Sequence, residues 1–330
     1  MKTVRPQALA KDVVIIDGLS RSGKTLLGPV LSSLDRAELW CLDYLFEYLC
    51  TLDALGRMDK DACSMMIRLY ADIDLYHQSI GRNTNFRKED DSGVYNNGLE
   101  KVYRQRAGGL AGDNTVREIR RKRPILFLMT HYLFGASDIL FESLGGRLKQ
   151  YVLMERHPFW LVESWYEGKW DLRIGRDPRE FQICCRVGSR TVPWFARGWA
   201  REYVSLGRLE QAIRVIDYFE QSFDARCERL SSSERKKFLR VAFEDFAVRP
   251  DPILDHIQKA LHTRLTARTK KIMKKMNVPR RLFKKDLTTQ AARIGRLLRK
   301  ESVRPKYRRI LEGLCEKYRA KHPHLFRGRA

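Results

Sequence analysis

The chain has 330 residues, of which 43% are hydrophobic, 32% charged and 10% aromatic; a sizeable core can be buried without staples, and wholesale disorder is excluded. The formal charge is +24, and +19 of it falls from Arg264 onward, a C-terminal excess that concentrates anions such as nucleic acid, acidic lipid, acidic glycan or a phosphorylated nucleotide. No stretch approaches the ~18 to 20 apolar residues of a membrane span, the opening MKTVRPQALAKD has no apolar signal core, and seven scattered cysteines without a CxxC spacing suit neither a zinc site nor a disulfide framework. The expectation is a reduced, cytoplasmic protein.

In chain order, the β-branched run Asp12–Asp17 reads as a buried central strand. Gly18-Leu-Ser-Arg-Ser-Gly-Lys-Thr25 follows, and then Leu26, Leu27, Val30, Leu31 and Leu34 at helical spacing. Residues 39–80 are mostly helical in pattern, and the polar, turn-rich 81–98 reads as a loop or lid. A second strand is expected at Ile125–Thr130, a helix at Ala136–Leu144 and a third strand at Gln150–Met154. Pro158 sits where the first turn of a helix begins. Residues 171–200 look irregular, and the adjacent Cys184 and Cys185 read as buried packing. Tyr203–Leu230 reads as one long amphipathic helix, Phe238–Phe243 as a fourth strand and Pro252–Leu261 as a helix. Strands alternating with helices argue an α/β fold, a P-loop-type parallel β-sheet flanked by helices. The expected organisation is one α/β domain over 1–263, with a helical and loop insertion at about 44–123. A basic helical extension over 264–330 packs on or closes over it.

Gly18, Gly23, Lys24 and Thr25 complete GxxxxGK[ST] between a strand and a helix. Glycines let backbone N–H groups curl round a phosphate while the helix start adds partial positive charge. Lys24 reaches bridging or terminal oxygens, and Thr25 holds a phosphate or Mg²⁺. Further on, RHPFWLVESWY places Arg156 at a strand end and Ser164 eight residues later, a guanidinium fork and a hydroxyl able to converge on one anion.

These segments resemble the PAPS-dependent sulfotransferases. Gly18 to Leu27 looks like their 5′-phosphosulfate loop, and RHPFWLVES is similar to their 3′-phosphate element, an Arg and a Ser eight apart. Met129-Thr130-His131 resembles the segment carrying the catalytic histidine, Val241 to Phe246 with Pro250 a late strand-turn-helix, and Arg293-Ile-Gly295-Arg296 the basic glycine segment over the 3′-phosphate. The matches run from residue 13 to about 300 in the family's order. Three positions depart from the pattern. Lys24 replaces the usual Thr, Met129 replaces a Lys, and Leu26 stands where an aromatic is usual, so adenine stacking comes from elsewhere. Residues 35–123 match no part of the family's pattern.

The resemblance implies in-line transfer of a sulfuryl group from PAPS to a hydroxyl or amine, leaving PAP, with no metal required. It implies a cofactor-binding set of Gly18, Arg21, Ser22, Gly23, Lys24, Thr25 and Leu26, with Arg156, Ser164, Arg293, Gly295 and Arg296 toward the 3′-phosphate. His131 is the expected general base and Lys24 the cation on the transferring group; Glu38 and Glu47 are alternative bases. The expected acceptor is anionic or a carbohydrate, including a lipid-linked glycan. Peripheral contact with an acidic membrane at its inner face is a further expectation, since Lys270, Lys271, Lys274, Lys275, Arg280, Arg281, Lys284 and Lys285 form a basic surface. Two alternatives stay open. A P-loop kinase using Mg-ATP fits the complete motif but needs an acidic metal partner at a strand end. A non-catalytic nucleic-acid-binding protein fits the basic helices but leaves the glycine loop unexplained; as a partner, nucleic acid is not expected.

Overall fold

Valine and isoleucine fill β1 (Asp12–Asp17), and all six of its residues are buried, as befits a parallel strand covered on both faces. A computed structural model describes residues 3–109, 111–281 and 284–326, with the side chains of Lys284 and Lys285 outside the description. After β1 come α1 (Lys24–Leu31), the two-residue β2 (Cys41–Leu42), α2 (Tyr44–Ala54), α3 (Lys60–Ser79), α4 (Glu100–Ala107), α5 (Asp113–Lys122), β3 (Ile125–Met129), α6 (Asp138–Leu144) and β4 (Leu148–Glu155). They are followed by α7 (Pro158–Glu167), α8 (Trp170–Arg173), β5 (Cys184–Val187), β6 (Arg190–Pro193), α9 (Ala200–Ser205), α10 (Arg208–Arg229), α11 (Ser232–Arg235) and β7 (Phe238–Ala242). The chain closes with α12 (Phe243–Val248), α13 (Asp251–Leu261), α14 (Ala267–Lys275), α15 (Lys284–Lys300) and α16 (Pro305–Lys321).

The chain divides into two compact units. The first holds residues 1–154, 229–241 and 245–280, and the second holds 155–228, 242–244 and 281–330. The stretch after residue 263, set apart in the sequence as a basic extension, therefore belongs to the first unit through Arg280 and to the second from Arg281. In the first unit a five-stranded sheet runs in the order β2-β3-β1-β4-β7. Strand β1 pairs in parallel with β3, Asp12 opposite Ile125 through Ile16 opposite Met129, and in parallel with β4, where Asp17 faces Leu153. The carboxyl ends of the three central strands thus lie side by side, the place where open α/β sheets hold ligands. Asp12 fixes the opposite end through Arg36 (3.1 Å) and Arg123 (3.0 Å).

In the second unit α7 packs against α15 and α16. Arg304 clamps Glu210 on α10 through Nε (2.9 Å) and Nη2 (2.6 Å), and rings of Trp194, Phe195, Tyr218 and Phe219 meet edge to face or tilted. Three elements differ from the sequence expectation. The long helix is interrupted: α9 ends at Ser205, Leu206 is extended, and α10 starts at Arg208, where the Glu210 carboxylate accepts from the Gly207 amide (3.3 Å). The irregular stretch contains the antiparallel hairpin β5–β6. Cys184 lies exposed on that hairpin and Cys185 half-buried, not buried as read, because burial on the ribbon falls on β6, at Val192 and Pro193, and not on β5.

Candidate functional site

The glycine loop leaves β1 through conformations that its sequence is chosen for. Gly18 has φ +139° and Gly23 has φ +103°; a Cβ on Gly18 would stand 2.2 Å from the Met154 carbonyl oxygen. Between them Arg21 is exposed with φ +71°, and the Ser22 amide donates to the Leu19 carbonyl (3.1 Å). At the start of α1 the first amides have no intrahelical acceptor, so Gly23, Lys24 and Thr25 present N–H groups at the carboxyl end of the sheet. Leu26 is buried and Thr25 exposed.

Lys24 is folded into the loop. Its Nζ donates to the carbonyls of Gly18 and of Leu19 (3.0 Å for the latter), and only 4% of the residue is exposed. Burial lowers its pKa to about 8, opposed by the negative charges of Asp17 and Glu47. Ser22 Oγ is buried and finds no hydrogen-bond partner among the described residues, 3.0 Å from where a Gly18 Cβ would be. A polar atom in that state costs about 1–3 kcal/mol and suits a ligand oxygen at the loop. A phosphate or phosphosulfate fits this donor set.

The chain leaving β3 crosses the loop. Tyr132, at φ +51°, donates its amide to the Gly18 carbonyl (3.4 Å), and its hydroxyl meets Ser20 Oγ at 3.1 Å. Asp17 sets this crossing: its carboxylate accepts from the Thr130 hydroxyl (3.0 Å), the amides of Leu133 (3.3 Å) and Phe134 (2.8 Å), and the Tyr151 hydroxyl (2.8 Å). His131 is thereby brought to the glycine loop. Glu47 on α2 receives its amide on Oε1 (2.8 Å), and the ring Nδ1 lies 3.2 Å from the same oxygen. Tyr44 stacks on the imidazole at 6.3 Å and 12°. Burial raises the Glu47 carboxyl well above its ordinary range, while the His131 amide and Lys24 act against the shift.

The two glutamates left open as bases part company here. The Glu38 amide bonds the Ile125 carbonyl at the amino end of β3, and its carboxylate is taken by Arg106 (Nη2, 3.0 Å) and the Tyr103 hydroxyl (2.8 Å). Glu47 alone of the pair stands with His131 and Lys24. Its position one helical turn into α2 carries no signal in the sequence, and neither does the crossing Tyr132.

In the second unit, Arg156 lies between β4 and α7 with its guanidinium 4.7 Å over the Phe243 ring. His157 caps α7: its Nδ1 accepts from the Phe159 amide (3.3 Å), and its own amide donates to Glu244 (3.2 Å). Glu244 in turn accepts from the Tyr318 hydroxyl of α16. Ser164 is half-buried on α7. Arg293 is brought to the same helix, but onto acids: Glu163 at 2.9 Å and Glu167 at 3.5 Å. Gly295 and the exposed Arg296 lie inside α15 rather than in a loop.

A parallel sheet whose central strand runs through a glycine loop into a helix defines the class: an α/β protein of P-loop type. Three solved structures are similar to it over most of the chain. The sulfotransferase domain from the curacin biosynthetic pathway is 12% identical, with 78% of this chain and 76% of that chain covered at a TM-score of 0.41. The sulfotransferase domain from the Synechococcus PCC 7002 olefin synthase is 12% identical, with 82% and 79% covered at 0.40. Sulfotransferase STF9 from Mycobacterium avium is 13% identical, with 84% and 70% covered at 0.40. No family model and no curated protein matches the chain.

Proposed function

We propose that the protein is a sulfotransferase, moving a sulfuryl group from PAPS to a hydroxyl or amine acceptor, with a carbohydrate or lipid-linked glycan as the acceptor class. The observation that carries this reading is the meeting of the glycine loop, Lys24 and the His131–Glu47 pair at the carboxyl end of β1 and β3. The loop amides and Lys24 hold the donor's 5′-phosphosulfate. The sequence resemblance assigns its 3′-phosphate to Arg156 and Ser164, with Arg293, Gly295 and Arg296 beside it.

Chemically, the acceptor oxygen bonds to sulfur as the bond from sulfur to the bridging phosphate oxygen breaks, and PAP leaves. The acceptor's proton passes to His131 Nε2, because Glu47 takes the hydrogen bond from Nδ1 and fixes that tautomer. Lys24 offsets charge that builds on the bridging oxygen. The kinase alternative is disfavoured by side-chain identity. Of the two strands beside β1, β3 is followed by Thr130 and not by a carboxylate, the Glu155 carboxylate that ends β4 is held by His322 (2.8 Å), and the four donors on Asp17 occupy its oxygens.

Calorimetry tests the reading. Adenosine 3′,5′-bisphosphate is expected to bind at micromolar affinity without metal, at least tenfold more weakly in Arg156→Ala and in Ser164→Ala. Tight Mg-ATP binding with no response to the bisphosphate would overturn it in favour of a kinase. With labelled PAPS and a panel of glycan acceptors, His131→Ala is expected to lose transfer while binding the bisphosphate as the wild type does.

A further inference from the structure

Helix α14 presents two chemically distinct sides. One is built into the first unit. Thr266 and Thr269 donate their hydroxyls to the Ser33 carbonyl (2.8 and 2.9 Å), Arg268 donates to the Ser32 carbonyl (2.8 Å), and Ile272 is buried. The other carries Lys270, Lys271, Lys274 and Lys275, all exposed. Their spacing makes two i,i+4 pairs of like charge, each of which disfavours a helix by about 0.2–0.5 kcal/mol. Among the described residues no carboxylate pairs with any of the four. These ammonium groups make polar contacts, among the described residues, only from Lys275 to Asn96, at 3.1 Å to its side-chain oxygen and 3.3 Å to its carbonyl. Other basic side chains of the same unit are paired with acids, Arg5 and Arg147 with Asp72, Arg106 with Glu38 and Arg36 with Asp12.

We infer that this lysine face docks on a bilayer surface bearing acidic headgroups. Four unneutralised charges on one helix face attract a polyanion, and what else lies on the face selects the kind. The charges are lysines, compact point charges without the planar fork that grips a single phosphate or a base edge. A shallow open recess beside them is lined by Lys270, Met273, Lys274, Asn277, Val278 and Pro279, with no aromatic ring on which a base would stack. Its apolar members, with Leu265 at 37% exposure just before the helix, suit the boundary between headgroups and acyl chains. A diffuse negative plane with an apolar layer beneath it matches all of these features. The docking is independent of the transfer chemistry, since none of these side chains belongs to the glycine loop or to the His131–Glu47 pair.

Sedimentation of the full-length protein with lipid vesicles tests the inference. The wild type is expected to bind vesicles that are roughly one-third phosphatidylglycerol and not those of phosphatidylcholine alone. Replacing all four lysines by alanine, which keeps helix propensity, is expected to weaken that binding on the order of a hundredfold or more, at about fivefold per lysine. Raising the salt to about 1 M, where the Debye length falls to about 3 Å, is expected to abolish it. A thermal midpoint equal to the wild type's establishes that the variant is folded; if the fourfold variant melts early, Lys270→Ala/Lys274→Ala gives the same reading with a smaller loss. Equal binding by wild type and folded variant, equal binding to both vesicle types, or displacement from acidic vesicles by a duplex oligonucleotide that binds more tightly would each overturn the inference.

Discussion

At the scale of single residues, Lys24 is where stability and binding pull apart. With its pKa lowered to about 8 by burial, the free protein loses this positive charge as the pH rises through 8. The unfolded chain keeps its proton until about 10.5. Native stability therefore carries the cost of a buried charge below pH 8 and gains as the pH rises from 8 toward 10.5. An anion in the loop restores the charge, so binding of adenosine 3′,5′-bisphosphate near pH 8.5 to 9 takes up a proton. Calorimetry in buffers of different ionisation enthalpy is expected to detect that uptake, and Lys24→Arg, which stays charged, to abolish it. Gln150 is a second such residue: it is fully buried in β4, and neither its Oε1 nor its Nε2 finds a partner among the described residues. Gln150→Met is expected to stabilise the protein by about 1 kcal/mol or more, read as a higher urea midpoint with unchanged slope.

Elements show which parts of the chain were legible beforehand. Strand β1, the glycine loop and α1 were readable because each depends on neighbours in sequence: β-branched residues for a covered strand, glycines for left-handed turns, leucines at helical spacing. The conformations give this weight. Gly18→Ala meets both φ +139° and a backbone oxygen 2.2 Å from the new Cβ, and is expected to cost more than about 3 kcal/mol and to abolish bisphosphate binding. At α14 the Thr266 hydroxyl accepts from the Thr269 amide (3.2 Å) and donates to Ser33. Thr266→Ala is expected to lower stability by about 1–2 kcal/mol, seen as a lower thermal midpoint. The break at Gly207 and the β5–β6 hairpin were not legible. The helical periodicity of 203–230 continues across the break, and the hairpin buries two consecutive residues, Val192 and Pro193, beside exposed ones such as Arg186 and Arg190, so no alternation marks it in the sequence.

For the molecule as a whole, acid is the expected weakness. His157 is 1% exposed among Phe159, Trp160, Tyr318 and Phe326, and burial with nearby Arg319 lowers its pKa to about 4. The stability of holding it neutral is fully present above about 6.5, its unfolded value, and is lost as the pH falls toward 4, a contribution of at most about 3 kcal/mol. Thermal midpoints at pH 7 and 4.5 are expected to diverge in the wild type and to converge in His157→Asn, which keeps an acceptor at the helix start. The residue's neighbours come from α7 and from the far end of the chain, and no local pattern announces that meeting. The same holds for Glu47 over Glu38 beside His131, for Arg293 on Glu163 and Glu167, and for the division of the basic C-terminal stretch between two units. The sequence by itself determined the parallel α/β layout and the glycine turn after β1, because period, glycine placement and helix starts are set by steric limits within a few residues. Only the tertiary structure decided which carboxylate serves the histidine and which cations stay unneutralised, because ion pairing depends on distance in space, and residues dozens of positions apart leave no periodic trace of their approach.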